Sequence, residues 1–420
     1  MVITRKLNSG VTIVMEQIPY VKSTAIGIWV RAGATDEDRE YAGISHFIEH
    51  MMFKGTKNRS ARQIAGDIDK IGGQVNAFTG KEATCYYVKS ISSNYKKAAD
   101  VICDMLENSL LDRQEMNKER QVICEEIKMT LDTPDELAHE TVTSLLFKGT
   151  PLGKSIIGTP TSLKRISRNV MADYLDREYT RDSMVISVAG SFDVDDVCAY
   201  FDQKLLNRRA SKPAKKTESV AYTPASKVIV KDIEQSHICL ATKGLAIDDP
   251  RYFAFSILNN VMGGSMSSRL FQNIREEKGL AYSVYSMAGA FRDDGYYSIY
   301  AGVSHDKVKD AIRAIRYELE ALEQNGITEE ELNASREQLK ASYIFGQENV
   351  AGRMFKNGKN TLLLGHIQSE EEVINGFDAV TLEDIRSVSK LICDLTKYSA
   401  AVATKDRFNL SRIMKGRSEL

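Results

Sequence analysis

The sequence predicts an α+β protein of two homologous domains, each a mostly antiparallel sheet with helices packed on it. Three observations carry this reading. The same order of elements runs twice along the chain, once on each side of a basic, proline-bearing stretch. Short alternating segments are joined by tight turns, as in antiparallel hairpins. Longer segments with helical apolar spacing are grouped between those pairs, which places helices together on one face of a sheet.

The break between the copies is "LNRRASKPAKKTESVAYTPASK", residues 206–227. It is rich in Lys, Arg, Ser, Ala and Pro and has no apolar period, so it reads as an exposed linker. A chain of 420 residues is too long for one typical core. The expected division is an N-terminal domain at 1–206, a linker at 207–227 and a C-terminal domain at 228–420.

The elements follow in order. "MVITRKLNSGVTIVMEQ" alternates, turns at Asn8 to Gly10 and alternates again, which predicts a hairpin at once rather than a targeting peptide. In the first half the strand "STAIGIWVRAG" leads to an acidic turn at Asp36 and Glu37, then to a helix from Tyr41. In the second half "SHICLATKGL" leads to Asp248 and Asp249, then to a helix from Tyr252. Ser60 caps "ARQIAGDIDKIGG" and Ser268 precedes "RLFQNIREEKG"; both helices stop at glycine. Aromatic-rich paired strands come next in each half, then long helices. Glu115, Asn117 and Arg120 match Glu331, Asn333 and Arg336 at one offset of 216. A shared plan of this length implies a duplication.

Composition excludes several classes. Apolar residues make up 43% and charged residues 27%, with a net charge of −1. That gives no basic field for nucleic acid or a membrane surface. No run approaches the roughly 18 apolar residues that span a bilayer. A cytoplasmic location is the expectation. Cys85, Cys103, Cys124, Cys198, Cys239 and Cys393 are scattered with no C-x-x-C pair, so they read as reduced core thiols.

Chemistry is concentrated in "HFIEHMMFKGT", residues 46–56. On a helix, residues four apart share a face, so His46 and His50 can aim ring nitrogens at one zinc ion. Glu49 sits beside them. A catalytic zinc site takes three protein ligands and leaves one place for water. The metal lowers that water's pKa towards about 7 and a carboxylate takes its proton. This H-x-x-E-H order inverts H-E-x-x-H. The alternative is an amphipathic helix with Phe47, Ile48, Met51 and Met52 in the core and His and Glu in water. The second copy argues against that alternative. Laying Ser45 on Ser256 puts His46 on Ile257, Glu49 on Asn260 and His50 on Val261, and position 126 falls on Ser342. The helix is kept and the ionisable residues are not.

A third ligand has to come from elsewhere, and the glutamate-rich "QEMNKERQVICEEIKM", residues 114–129, is the source. Glu119 and Glu126 lie seven apart on one helix face, so one can bind metal and the other orient a ligand. Spacing alone leaves Glu125 and Glu126 both open.

Together, "HFIEHMMFKGT", "GGQVNAFTGKEATCYY", "ERQVICEE" and the linked second half resemble the pitrilysin family of inverted-motif zinc peptidases. The likeness covers essentially the whole chain. It is nearest to bacterial half-size members that resemble the catalytic β subunit of the mitochondrial processing peptidase. The resemblance implies a zinc metalloendopeptidase with His46, His50 and Glu126 as ligands, Glu49 as general base and Glu119 as supporting carboxylate. It implies that substrate adds as an extended strand to the edge "GGQVNAFTG", touching Asn76 and Ala77, with Phe53 beside the cleavage pocket. It also implies that Arg275 and Tyr282 of "REEKGLAY" hold substrate and steady the transition state. "MGGSMSSR", with Gly263 and Gly264, resembles the glycine-bearing loop of the processing peptidase's α subunit. Read without the resemblance, these outer residues are ordinary strand, core and surface positions.

One chain thus carries features of both the catalytic and the partner subunit. The expectation is a homodimer that closes a chamber around an unfolded peptide, with Arg275 and Tyr282 acting in trans. Two competitors are a metal-free scaffold subunit, which the intact His46, Glu49, His50 and Glu126 oppose, and a catalytic subunit needing a different partner, which Arg275, Tyr282 and the glycine loop oppose.

Overall fold

The computed structural model describes residues 2–205 and 221–416. The first sheet contains β1 (Val2–Lys6), β2 (Thr12–Gln17), β3 (Ser23–Val30), β4 (Gln74–Thr79), β5 (Thr84–Ile91) and β6 (Met184–Gly190). Its order is β1-β2-β6-β3-β5-β4, and only β2 and β6 run parallel. The second contains β7 (Ser226–Val230), β8 (Ser236–Lys243), β9 (Ala281–Ala290), β10 (Gly295–Val303) and β11 (Ser399–Thr404). Its order is β7-β11-β8-β10-β9, with β7 and β11 parallel. Without β1 the two orders coincide strand for strand, as the duplication requires. Residues 206–220 of the expected linker lie outside the described residues, and Ser226 and Lys227 at its end already belong to β7.

The chain forms two compact units. One holds residues 1–127, 154–218 and 344–367; the other holds 128–153, 219–343 and 368–420. These differ from the expected contiguous domains, 1–206 and 228–420, in two segments. Residues 128–153 join the second unit and 344–367 join the first. The reason lies in the strands.

In the first unit, helices α1 (Ile44–Met52), α2 (Ala61–Lys70), α3 (Tyr95–Asn108) and the part of α4 (Arg113–Asp132) up to Ile127 are contributed by the first half of the sequence. Ile13, Met15, Ile26, Ile28, Tyr86, Val88, Ile186 and Val188 point towards them and pack with Phe47, Ile48, Ile102 and Ile123. The alternate residues Val14, Trp29, Cys85 and Val185 are apolar as well and point to the opposite face. A sheet apolar on both sides needs cover on both. The cover is the helix Val350–Leu363, whose Met354, Phe355 and Leu362 pack there. The second sheet repeats the arrangement. Ile238, Leu240, Ala400 and Val402 line one face, while Cys239, Ala241, Ala401 and Ala403 meet Ala138, Val142 and Leu146 of α5 (Pro134–Leu146) on the other. The expectation of helices on one face only is therefore corrected. Each sheet is covered on its second face by a helix from the other half of the sequence.

These two helices begin at equivalent positions, Pro134 and Val350, so equivalent elements have changed places. The first unit holds its guest through a half-buried ion pair. Glu16 of β2 takes Arg353 Nη1 at 2.5 Å and Asn357 Nδ2 at 2.7 Å.

One hydrogen-bond module survives in both copies. Arg120 donates to the carbonyls of Leu163 and Ile166 and to Asn117 Oδ1. Arg336 donates to the carbonyls of Phe377 and Val380 and to Asn333 Oδ1. Each arginine thereby ties a long helix to the end of a following one with its fork of donors. Cys85, Cys103, Cys239 and Cys393 are buried and Cys124 and Cys198 half-buried. No helix among the described residues is long and apolar enough to cross a membrane.

The exchanged helix is expected to be a stability determinant. Met354 is fully buried, so Met354→Ala should cost about 2–5 kcal/mol, read as a lower urea midpoint at unchanged slope. A loss under about 1 kcal/mol would mean that this helix is not integral to the first unit.

Candidate metal centre

The centre is built on α1 and α4 of the first unit. Helix α1 is held at its start by Glu37, whose carboxylate accepts the N–H groups of Gly43 at 2.7 Å and Ser45 at 2.9 Å. A negative group there complements the helix dipole. Burial pushes the Glu37 carboxyl up to about 7, against the two backbone bonds that favour its ionised form. Gly43 has a φ of 91° and backs onto Ile157 and Gly158, where a Cβ would approach to 2.8 Å, so a larger residue is excluded. Ser45 Oγ meets Tyr174 OH at 2.8 Å. The stripe Ile44, Phe47, Ile48, Met51 and Met52 is buried. With that stripe inward, His46, Glu49 and His50 are left together on the remaining face, each half-buried.

Helix α4 buries Met116, Glu119, Ile123 and Ile127. The spacing of three or four residues puts Glu119 in the apolar stripe itself. Glu126 lies one residue before the last of these, at the edge of the stripe, while Glu125 is exposed. Glu126 Oε2 is 3.9 Å from His46 Nε2 and 3.7 Å from His50 Nε2. The two imidazole centroids are 4.6 Å apart. Among the described residues His46, His50 and Glu126 are the one group of such side chains whose ligand atoms all lie within 4.8 Å of one another. Glu126, and not the exposed Glu125, is the glutamate that lies beside the two histidines.

Glu119 stands behind His50. Its Oε2 is 3.0 Å from His50 Nδ1, and its Oε1 is 2.6 Å from Lys54 Nζ. A carboxylate oxygen accepts, so the contact places the His50 proton on Nδ1 and turns the Nε2 lone pair towards Glu126. Glu49 Oε2 accepts a hydrogen bond from Thr79 of β4. Burial raises the Glu49 pKa; the Thr79 bond and His50 work against the rise. His46 is lowered to about 4, by burial first and by His50 second. It is held neutral, which is the form that ligates metal.

A zinc ion suits these donors. Tetrahedral zinc with ligands at about 2.0–2.1 Å keeps its ligand atoms about 3.4 Å apart. The observed 3.7 and 3.9 Å are close to that and too long for hydrogen bonds. His46 Nδ1 is buried, and no partner for it is present among the described residues.

The equivalent place in the second unit is filled by neutral polar groups. Asn260, which falls where Glu49 stands, donates to Ser335 Oγ at 3.2 Å and Gln338 Oε1 at 2.9 Å.

The remaining residues fall as follows. Phe53 follows α1 and packs, half-buried, against the core. Asn76 is exposed and Ala77 half-buried on β4, whose strand partner is β5 alone, leaving an edge. Arg275, Tyr282, Gly263 and Gly264 belong to the second unit. There the Arg275 guanidinium lies 5.0 Å from the Tyr282 ring and 4.6 Å from the Phe271 ring. Tyr282 is on β9 and exposed. Gly263 packs on β9 so closely that a Cβ would meet Ser286 N at 2.4 Å, and one on Gly264 would meet Asn260 Oδ1 at 2.6 Å. Sequence reasoning missed Glu37 as the clamp of α1, and it missed Lys54 and Thr79. Lys54 lies one turn after His50, and Thr79 shares the strand face of Ala77. The first is a local signal that was present; the second, whose bond to Glu49 joins residues thirty apart, is not.

Residues 12–160 match the family described as Insulinase (Peptidase family M16), and residues 165–339 match the Peptidase M16 inactive domain. The chain belongs to peptidase family M16. The uncharacterized zinc protease YmxG of Bacillus subtilis (strain 168) is 42% identical over 388 residues, covering 91% of this chain and 93% of its own. The fold is shared with a peptidase M16 inactive domain from Pseudomonas fluorescens (TM-score 0.90, 18% identity, 97% of this chain and 98% of that one). A protease from Helicobacter pylori is also similar (TM-score 0.88, 20% identity, 96% and 99%).

The shift at His46 sets a pH dependence for the metal-free protein. The ring has a folded pKa of about 4 against an ordinary 6.5, so unfolding takes up a proton between those values. The resulting loss of stability should be absent above pH 6.5, grow as pH falls to 4, and level off at on the order of 3 kcal/mol. Urea titrations at pH 7 and pH 4.5 should show a smaller difference for His46→Leu than for the unsubstituted protein. Equal differences would count against a neutral, buried His46.

Proposed function

We propose that this M16 protein is a zinc-dependent metalloendopeptidase acting on peptides bound as an extended strand. The observation that carries the reading is the convergence of His46 Nε2, His50 Nε2 and Glu126 Oε2, with Glu49 beside them on the same helix face. These three side chains would hold the zinc. When bound, zinc supplies Lewis-acid polarisation of a peptide carbonyl and acidifies a water.

The chain's own residues do the rest. Glu49 takes a proton from the attacking water and delivers it to the leaving amine. Its burial supports that role, because a raised carboxyl pKa suits a group that must both accept and return a proton. The Thr79 bond fixes one carboxylate oxygen and leaves the other for proton traffic. Glu119 orients His50. The free edge of β4 can pair with a substrate backbone through Asn76 and Ala77, which demands little of the substrate's side chains. Phe53 would wall the cleavage pocket.

Arg275 and Tyr282 are assigned to substrate binding and to the transition state, with Gly263 and Gly264 near the substrate path. Their mutual contact supports a joint role, since the guanidinium stacked on the ring orients both groups. We assign that role in trans, within a homodimer enclosing the peptide.

A quenched peptide should be cleaved by the purified chain, lose cleavage with a chelator and regain it with zinc. Glu49→Gln should lower kcat by about 100- to 10,000-fold while retaining zinc. A fully zinc-loaded protein without activity would favour a scaffold role. For the dimer, mixing Glu49→Ala chains with Tyr282→Phe chains should restore activity above either alone. No gain on mixing would exclude action in trans.

A further inference from the structure

We infer that Lys54 is a positioning residue for zinc binding, acting through Glu119 on His50; this rests on the ligand set proposed above. Lys54 Nζ and His50 Nδ1 divide the two oxygens of one carboxylate, Lys54 on Oε1 at 2.6 Å and His50 on Oε2 at 3.0 Å. Glu119 is rigidly placed by burial in the apolar stripe of α4 but can still rotate about its terminal torsion. Two donors on opposite oxygens remove that freedom. The plane of the carboxylate then sets the plane of the His50 ring, and with it the direction of Nε2 towards Glu126. Lys54 also supplies the positive charge that a buried carboxylate needs beside it.

The duplication separates this chain of contacts from the scaffold. Extending the register of Ser45 on Ser256 puts Lys54 on Ser265, and the register of Arg120 on Arg336 puts Glu119 on Ser335. His50 has become Val261. All three members of the relay are absent together from the copy that lacks the ligands. The arginine module that ties the helices is retained in both. Lys54 therefore varies with the metal ligands and not with the packing of the helix.

The test is the zinc dissociation constant of the full chain, measured by competition with a chromophoric chelator, with the absorption spectrum of the cobalt-loaded protein as a second readout. Lys54→Met should weaken zinc binding by about 10- to 100-fold and shift the cobalt bands, while Lys54→Arg, which keeps a donor and the charge, should stay within about threefold of the unsubstituted protein. Where Lys54→Met fails to fold, Lys54→Gln carries the same comparison. Affinity within twofold in the uncharged variants, or equal loss in Lys54→Arg, would overturn the inference. If the unsubstituted protein itself binds no zinc, the proposed ligand set fails instead.

Discussion

The candidate metal centre depends on the rotation of one short helix about its axis. Helix α1 presents His46, Glu49 and His50 as a group only because Ile44, Phe47, Ile48, Met51 and Met52 are locked inward. A nine-residue helix has little stability of its own. Tertiary contacts hold it at both ends. Glu37 fastens the first turn by two backbone bonds, and Glu119 reaches the last turn through His50 and Lys54. With either end loose, the two imidazoles would keep their spacing along the helix and lose their common direction. Glu37 is therefore as much a part of the site as the groups that line it, although it touches none of them.

The same frame built twice shows what the site requires beyond the frame. Both units have a sheet of one order, a long helix tied by an arginine, and a second-face helix taken from the other half of the chain. Only the first carries ionisable groups at the matched positions. In the second, Asn260, Ser335 and Gln338 satisfy one another, which removes the cost of a buried charge and with it the affinity for a cation. The exchange of α5 and the helix Val350–Leu363 makes each unit incomplete without a segment from the other half.

Much of this was legible in the sequence, for identifiable reasons. The strands alternate, and Ser60 caps its helix as read, its side chain accepting from Gln63 N. His46 and His50 were legible as a pair because four-residue spacing on a helix is a local rule. Glu119 and Glu126 were found as a pair, but successive side chains on a helix leave spacing unable to separate Glu125 from Glu126. The structure does so through burial of Ile127 and Ile123. The second-face helices, 134–146 and 350–363, were not among the elements read from the sequence, and the expectation of helices on one face left no place for them. An amphipathic pattern states that a face is buried and is silent on what buries it. Thr79 escaped for a related reason. Its bond to Glu49 joins residues thirty apart, across a strand and a helix, and nothing local marks it.

Where zinc sits decides the proposed ligand set. Crystals of the zinc-loaded protein, measured at the zinc absorption edge, report that position directly. The account predicts one anomalous peak per chain, about 2.0–2.2 Å from His46 Nε2, His50 Nε2 and a Glu126 carboxylate oxygen, with Glu119 and Glu49 outside bonding distance. A chain with full zinc occupancy and its peak at any other set of side chains would contradict it.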